Sequence, residues 1–91
     1  MERAVTLVME FPSRGPAAGA VDDVLRKMAE ELPRIPGLCW KIWTEDAEQG
    51  LAGGIYRFAD RRSAEAYRDR QAARLAAIGV MPVRVRLTAA H

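Results

Sequence analysis

Two stretches of alternating side chains stand five residues apart in the middle of this chain. Leu38–Glu45 (LCWKIWTE) and Leu51–Ala59 (LAGGIYRFA) are each one strand long, and the polar run Asp46–Gly50 leaves room only for a hairpin between them. On either side lies a stretch of helical spacing. Val21, Val24, Leu25, Met28 and Leu32 recur at three- and four-residue intervals before the hairpin, with Asp22 and Asp23 suited to a first turn. Ala64, Tyr67, Gln71, Leu75 and Ile78 do the same after it. Outermost, Ala4–Phe11 and Val80–Thr88 alternate again. The resulting order is β-α-β-β-α-β. Two right-handed crossovers and one hairpin then predict an α+β, ferredoxin-like sandwich: a four-stranded antiparallel sheet with both helices on one face.

Local signals punctuate these elements. Pro12-Ser13-Arg14-Gly15-Pro16 breaks the first strand, and Gly15-Pro16 or Gly19 opens the first helix. Pro33 closes that helix, and Ile35-Pro36-Gly37 turns the chain. Asp60 is a good N-cap for the second helix and Gly79 a natural stop, while the tail Ala89–His91 is expected to fray. Gly53-Gly54 interrupts a strand, which calls for a bulge, a tight backbone approach or a ligand.

With 91 residues, 49% of them hydrophobic, the chain has material for one domain, residues 1–91, and is too apolar for disorder. A core this small is marginal alone. The sheet face away from the helices is left bare with alternate residues apolar, so a homodimer that buries two such faces is expected. The single cysteine, Cys39, allows no internal disulfide and is expected to be a small buried hydrophobe. The single histidine is His91. A zinc site or a histidine-based nucleophilic triad therefore has too few ligands. Glycine-rich phosphate loops, HExxH and CxxC are absent from the sequence, so no nucleotide cofactor or dedicated metal is indicated.

The charge is small in total, +2, but uneven. Residues 1–48 carry six basic and nine acidic side chains, whereas residues 49–91 carry eight and three. An arginine-rich solvated helix face accounts for this more simply than a nucleic-acid patch. The start of the chain, MERAVTLVMEF, lacks the uninterrupted apolar core of a signal peptide, and no stretch approaches the ~20 apolar residues that cross a bilayer. A cytoplasmic protein that does not enter the membrane is the expectation.

Candidate functional residues come from the phases of these elements. Trp40 and Trp43 are three apart on one strand and so face opposite ways; they anchor core or interface, or one of them floors a pocket for a flat ligand. Tyr67, Gln71 and Arg74 share the inner edge of the second helix. An amide beside a phenol and a guanidinium, where packing alone would favour Leu or Val, suggests a wet cleft between helix and sheet. There Arg74 either holds an oxyanion or extends to solvent over its own stem. Lys41 and Glu45 share a face with Trp43, as a salt bridge or as an acid–base pair.

The run Pro36-Gly37-Leu38-Cys39-Trp40-Lys41-Ile42-Trp43-Thr44-Glu45, followed by Gly53-Gly54-Ile55-Tyr56-Arg57-Phe58, resembles the YdhR-like monooxygenase family of the dimeric α+β barrel superfamily. The resemblance continues through Ser63-Ala64, Ala66-Tyr67, Ala73-Arg74-Leu75 and Gly79-Val80. It implies a homodimer whose two sheets join into a barrel, with a pocket between sheet and helices in each subunit. It also implies a monooxygenase. Relatives in the superfamily oxidise aromatic polyketides without metal or flavin, by deprotonating the substrate so that its anion meets dioxygen; others degrade haem. Such chemistry needs a slot for a small aromatic molecule, a group to handle a proton and a cation near the developing oxyanion. On this resemblance Trp40 supplies the slot with Tyr67 beside it, Arg74 the cation, and Tyr56 or Gln71 hydrogen bonds, with Trp43, Lys41 and Glu45 lining the substrate site. The family's pattern has His where this chain has Gln71. An amide is no base at neutral pH and a poor iron ligand, which argues against haem handling.

Two other classes compete with the enzyme. One is a dimeric small-ligand-binding module with the same pocket and no turnover. The other is an RNA-binding module on the same frame, which would need aromatics exposed on the bare face of both central strands with basic residues beside them.

Overall fold

A computed structural model describes residues 3–89. The elements follow the expected order: β1 (Val5–Pro12), α1 (Ala18–Glu31), a single 3-10 turn (Leu32–Arg34), β2 (Leu38–Asp46), β3 (Leu51–Phe58), α2 (Arg61–Ala76) and β4 (Arg84–Ala89). The four strands form one antiparallel sheet in the order β2-β3-β1-β4. This is the α+β, ferredoxin-like arrangement.

The core lies between the sheet and the two helices. Val5, Leu7, Met9 and Phe11 on β1 and Tyr56 and Phe58 on β3 are buried there. They meet Val21, Val24 and Met28 from α1 and Ala64, Tyr67, Gln71 and Leu75 from α2. The period-two and period-3.6 stripes of the sequence thus face each other, as burial of apolar area requires. The Asp60 carboxylate accepts from the Ser63 backbone N–H at 2.7 Å and caps α2, and Gly79 takes the left-handed φ of 78° beyond its end.

Several expectations shift. Helix α1 begins at Ala18, so Asp22 and Asp23 lie beyond its first turn. The last strand begins at Arg84 rather than Val80, because Val80 folds back on α2, its N–H donating to the Leu75 carbonyl. Of the tail expected to fray, Ala89 lies in β4 and the rest falls outside the described residues. The strand irregularity sits between Leu38 and Trp40, not at Gly53-Gly54, whose register with β1 is continuous. That irregularity turns Cys39 outward, so the thiol is exposed rather than buried, and Leu38 pairs with Phe58 on the core side. Gly53 is explained by close approach: a Cβ there would begin 1.9 Å from the Met9 carbonyl oxygen.

The opposite face of the sheet carries no helix. Val8, Ile55 and Ile42 are register partners across β1, β3 and β2 and form an apolar row on it. Ile42 is 53% and Trp40 46% exposed. Arg57 donates to the Thr6 hydroxyl at 2.9 Å, and Arg84 pairs with Glu10 at 3.2 Å.

Candidate functional site

Register decides which predicted residues meet. Lys41 pairs with Tyr56, Trp43 with Gly54 and Glu45 with Ala52, so Lys41, Trp43 and Glu45 point to the helix side of β2. Trp40 pairs with Arg57 and points to the bare side. The slot expected between Trp40 and Tyr67 therefore does not exist within one subunit, because the sheet separates them. Trp43 is the tryptophan on the side of Tyr67.

Lys41 occupies an unusual position. Its Nζ lies 3.0 Å from the centroid of the Trp43 ring and 4.5 Å from that of Tyr56. The expected Lys41–Glu45 salt bridge is absent: the amine is buried with no hydrogen-bond partner. Burial alone pulls its pKa down to about 7, since the charged form loses its hydration. The two faces of aromatic density favour the cation, but no carboxylate offsets the lost water.

Tyr56 and Tyr67 pack beside it with ring centroids 4.8 Å apart. Both hydroxyls are buried without a partner. Burial pushes both phenols above their ordinary pKa, and in Tyr56 the neighbouring Tyr67 adds to the effect. Gly54 makes the room. A Cβ on it would lie within 3.0 Å of both the Tyr56 hydroxyl and Lys41 Cε, so phenol and lysine converge on the space a side chain would fill.

Gln71 lies one turn beyond Tyr67 on the buried face of α2. Arg74 Nη1 donates to Gln71 Oε1 at 3.3 Å, and Arg74 Nη2 donates to Glu31 Oε1 at 2.7 Å. The guanidinium is thereby occupied by two side-chain acceptors and holds the amide with Nε2 turned into the interior, where it has no partner. Glu31, held below its ordinary pKa mainly by the hydrogen bond from Arg74, was not legible in the sequence; nothing in its spacing ties the end of α1 to α2. Four buried atoms lack a hydrogen-bond partner: Lys41 Nζ, Tyr56 OH, Tyr67 OH and Gln71 Nε2. Each can donate, and the two phenol oxygens and a neutral amine can also accept, so a polar ligand would find partners among them.

An open cavity of about 500 Å³ is lined by Ser13 and Arg14 of the β1–α1 loop, Asp22 and Leu25 of α1, and Trp43 and Glu45 among the strand residues; it meets the cluster only through Trp43. Trp43 belongs to both: it forms a wall of the cavity and covers Lys41. At 43% exposure its indole is not locked into the core.

The family model described as "Putative mono-oxygenase ydhR" matches residues 6–90. The chain belongs to the YdhR family. Comparison with curated proteins finds no match. The matched region takes in all the strands and helices apart from the first residue of β1, and so every residue of the donor cluster. Tyr56 and Phe58, the aromatics of a central strand, are fully buried under the helices instead of displayed on the bare face, unlike the arrangement the RNA-binding alternative calls for. No helix among the described residues is long and apolar enough to cross a membrane.

Proposed function

We propose that this member of the YdhR family is a cofactor-independent monooxygenase that oxidises a small aromatic or quinol-like compound in the cleft between sheet and helices. The observation that carries the reading is a buried lysine amine between two aromatic rings, one of which, Trp43, also walls the 500 Å³ cavity.

The residues support the following sequence. A flat substrate enters along Trp43, and its oxygen accepts from the Tyr56 and Gln71 donors. Lys41, neutral in part near pH 7, takes the proton from the acidic C–H or O–H of the substrate and becomes an ammonium beside the resulting anion. The anion transfers electrons to dioxygen, and a carbon–oxygen bond forms at the activated carbon. The peroxide takes the proton back. Loss of water from a CH–OOH group leaves a carbonyl, so that CH2 plus O2 becomes C=O plus H2O. Arg74 acts as a positioning residue that keeps the Gln71 amide pointing inward.

The same reading places the protein in the cytoplasm as a homodimer, assembled through the apolar row Val8–Ile55–Ile42 and Trp40. Trp40 then serves assembly, and Trp43 the site. Oxygen uptake with a panel of anthrone- and quinol-type compounds tests the function. Uptake with a recovered product one oxygen richer is expected, falling at least ~10-fold in Arg74→Ala if orienting the amide supplies one charge-assisted contact of ~1.5–3 kcal/mol in the transition state. No uptake across the panel, with the compounds binding and recovered unchanged, would make the protein a binding module instead.

A further inference from the structure

We propose that Lys41 is a carbonyl-capturing residue: its Nζ condenses reversibly with an aldehyde or ketone admitted from the cavity when the Trp43 indole swings aside, giving an imine. This goes beyond the oxygen chemistry above and does not depend on it.

Three features of the cluster carry the inference. First, Lys41 Nζ has no hydrogen-bond partner and lies between two rings, so nothing occupies its lone pair when it is neutral. Second, an acid stands beside it. The Tyr56 hydroxyl and Lys41 Cε both lie within 3.0 Å of the point where a Gly54 side chain would start, and the phenol keeps its proton because burial raises its pKa. Third, Trp43 is the barrier between amine and cavity and is itself 43% exposed, so access needs the movement of one side chain and no backbone change.

The step balances without any oxidant. The neutral amine attacks the carbonyl carbon, and the carbonyl oxygen takes a proton that Tyr56 relays from nitrogen, giving a carbinolamine. Nitrogen loses its second proton as the hydroxyl leaves as water, and a C=N bond replaces the C=O bond. The burial that depresses the amine's pKa leaves a far larger share of it neutral at pH 7 than in a solvated lysine. An ordinary solvated lysine with a pKa near 10.4 is neutral in only roughly one molecule in 2,500 at that pH.

The chain supplies its own control, because its only other lysine, Lys27, is exposed on α1. The intact protein is incubated anaerobically at pH 7 with benzaldehyde and sodium cyanoborohydride, which reduces an imine to a stable benzylamine. Intact mass gives the number of adducts, and peptide mapping separates Lys41 from Lys27 and from the α-amino group. Lys41 is expected to label at least ~10-fold faster than Lys27, the neutral fraction favouring it and burial slowing it. Its rate should reach half its plateau at a lower pH than that of Lys27, which a solvated lysine would not do. Trp43→Ala should speed Lys41 labelling several-fold and leave Lys27 unchanged. Labelling of Lys27 at an equal or greater rate overturns the proposal. So does an unlabelled Lys41 in the native chain, whether or not Trp43→Ala exposes it. The absence of oxygen keeps the outcome separate from that of the uptake assay.

Discussion

Lys41 should make this protein less stable as the solution becomes more acidic, in a window set by one amine. The perturbation that isolates it is Lys41→Met, which keeps the length of the apolar stem and removes the charge. In the unfolded chain the amine titrates near its ordinary 10.5, and in the folded chain near 7. Between those values the unfolded state binds more protons, so stability rises with pH through the window; below about 7 both states are protonated and the penalty is complete. At 1.36 kcal/mol per pH unit the full drop corresponds to about 5 kcal/mol. Residual solvent contact screens part of that, and the Trp43 and Tyr56 faces return up to about 2 kcal/mol to the ammonium. A net cost of about 2–3 kcal/mol at pH 6 follows, which moves the folded-state midpoint above 7 while keeping it below 10.5. No charged neighbour contributes to the shift; Tyr56 faces the amine from β3, and Tyr67 of α2 packs on Tyr56. Urea unfolding of both proteins at pH 6 and pH 10 reads the difference, with the variant correcting for every other titrating group. Lys41→Met should be more stable than the native chain by about 2–3 kcal/mol at pH 6, and the gain should shrink to under about 1 kcal/mol at pH 10, approaching the unfolded-state pKa. A variant equally destabilised at both pH values would mean that the amine is solvated and that the geometry of the cluster has been misread.

Other consequences are more local. Tyr56→Phe removes a buried hydroxyl that has no partner, so the free protein should lose nothing or gain up to about 1 kcal/mol in denaturant unfolding, while oxygen uptake with a quinol falls. Gly53→Ala should cost at least ~3 kcal/mol and abolish a cooperative thermal transition, because the new Cβ meets the Met9 carbonyl oxygen of the neighbouring strand and that backbone cannot yield cheaply. Trp40→Glu should convert a dimer to a monomer in sedimentation equilibrium and leave the helix-side cluster intact, since the indole lies on the bare face.

The fold was legible because each element announces itself by periodicity, and because a short hairpin and two helical crossovers admit few topologies. The parity of β2 was legible from Trp40 to Glu45, where alternation is unbroken, but not at Cys39. A bulge there costs the sequence no special residue, and it reverses which neighbours are wet. At Gly53-Gly54 the sequence left a bulge, a tight backbone approach or a ligand open; for Gly53 it is the tight approach of the next strand's carbonyl oxygen, and which of the three applies depends on a long-range contact that no local pattern records. For the site, the shared edge of Tyr67, Gln71 and Arg74 could be read from helix phase. Lys41 could be read only as a partner of Glu45 on the face of Trp43; its burial could not, because a strand lysine is ordinarily solvated, and only the register with Tyr56 and Gly54 shows that its side is the covered one. Its signal was present in weak form: a lysine in phase with the core-facing side of a strand, opposite the position a double glycine opens.

The two tryptophans divide the work of one strand. Three residues of separation turn Trp40 to the bare sheet face and Trp43 to the helices, so a single rigid element presents one indole for contact with a second subunit and the other as cover for an amine. The bulge at Cys39 lies before both, and therefore fixes their parity against β3 without disturbing the alternation between them. If the strand slipped by one residue, Lys41 would pass to the solvent face and Trp40 would press on Tyr56. The charged amine would regain its water and the donor cluster would lose its only basic group. In the proposed reading, register alone couples assembly and chemistry: a contact that clamped Trp40 against a second subunit would also resist the slip that would empty the site.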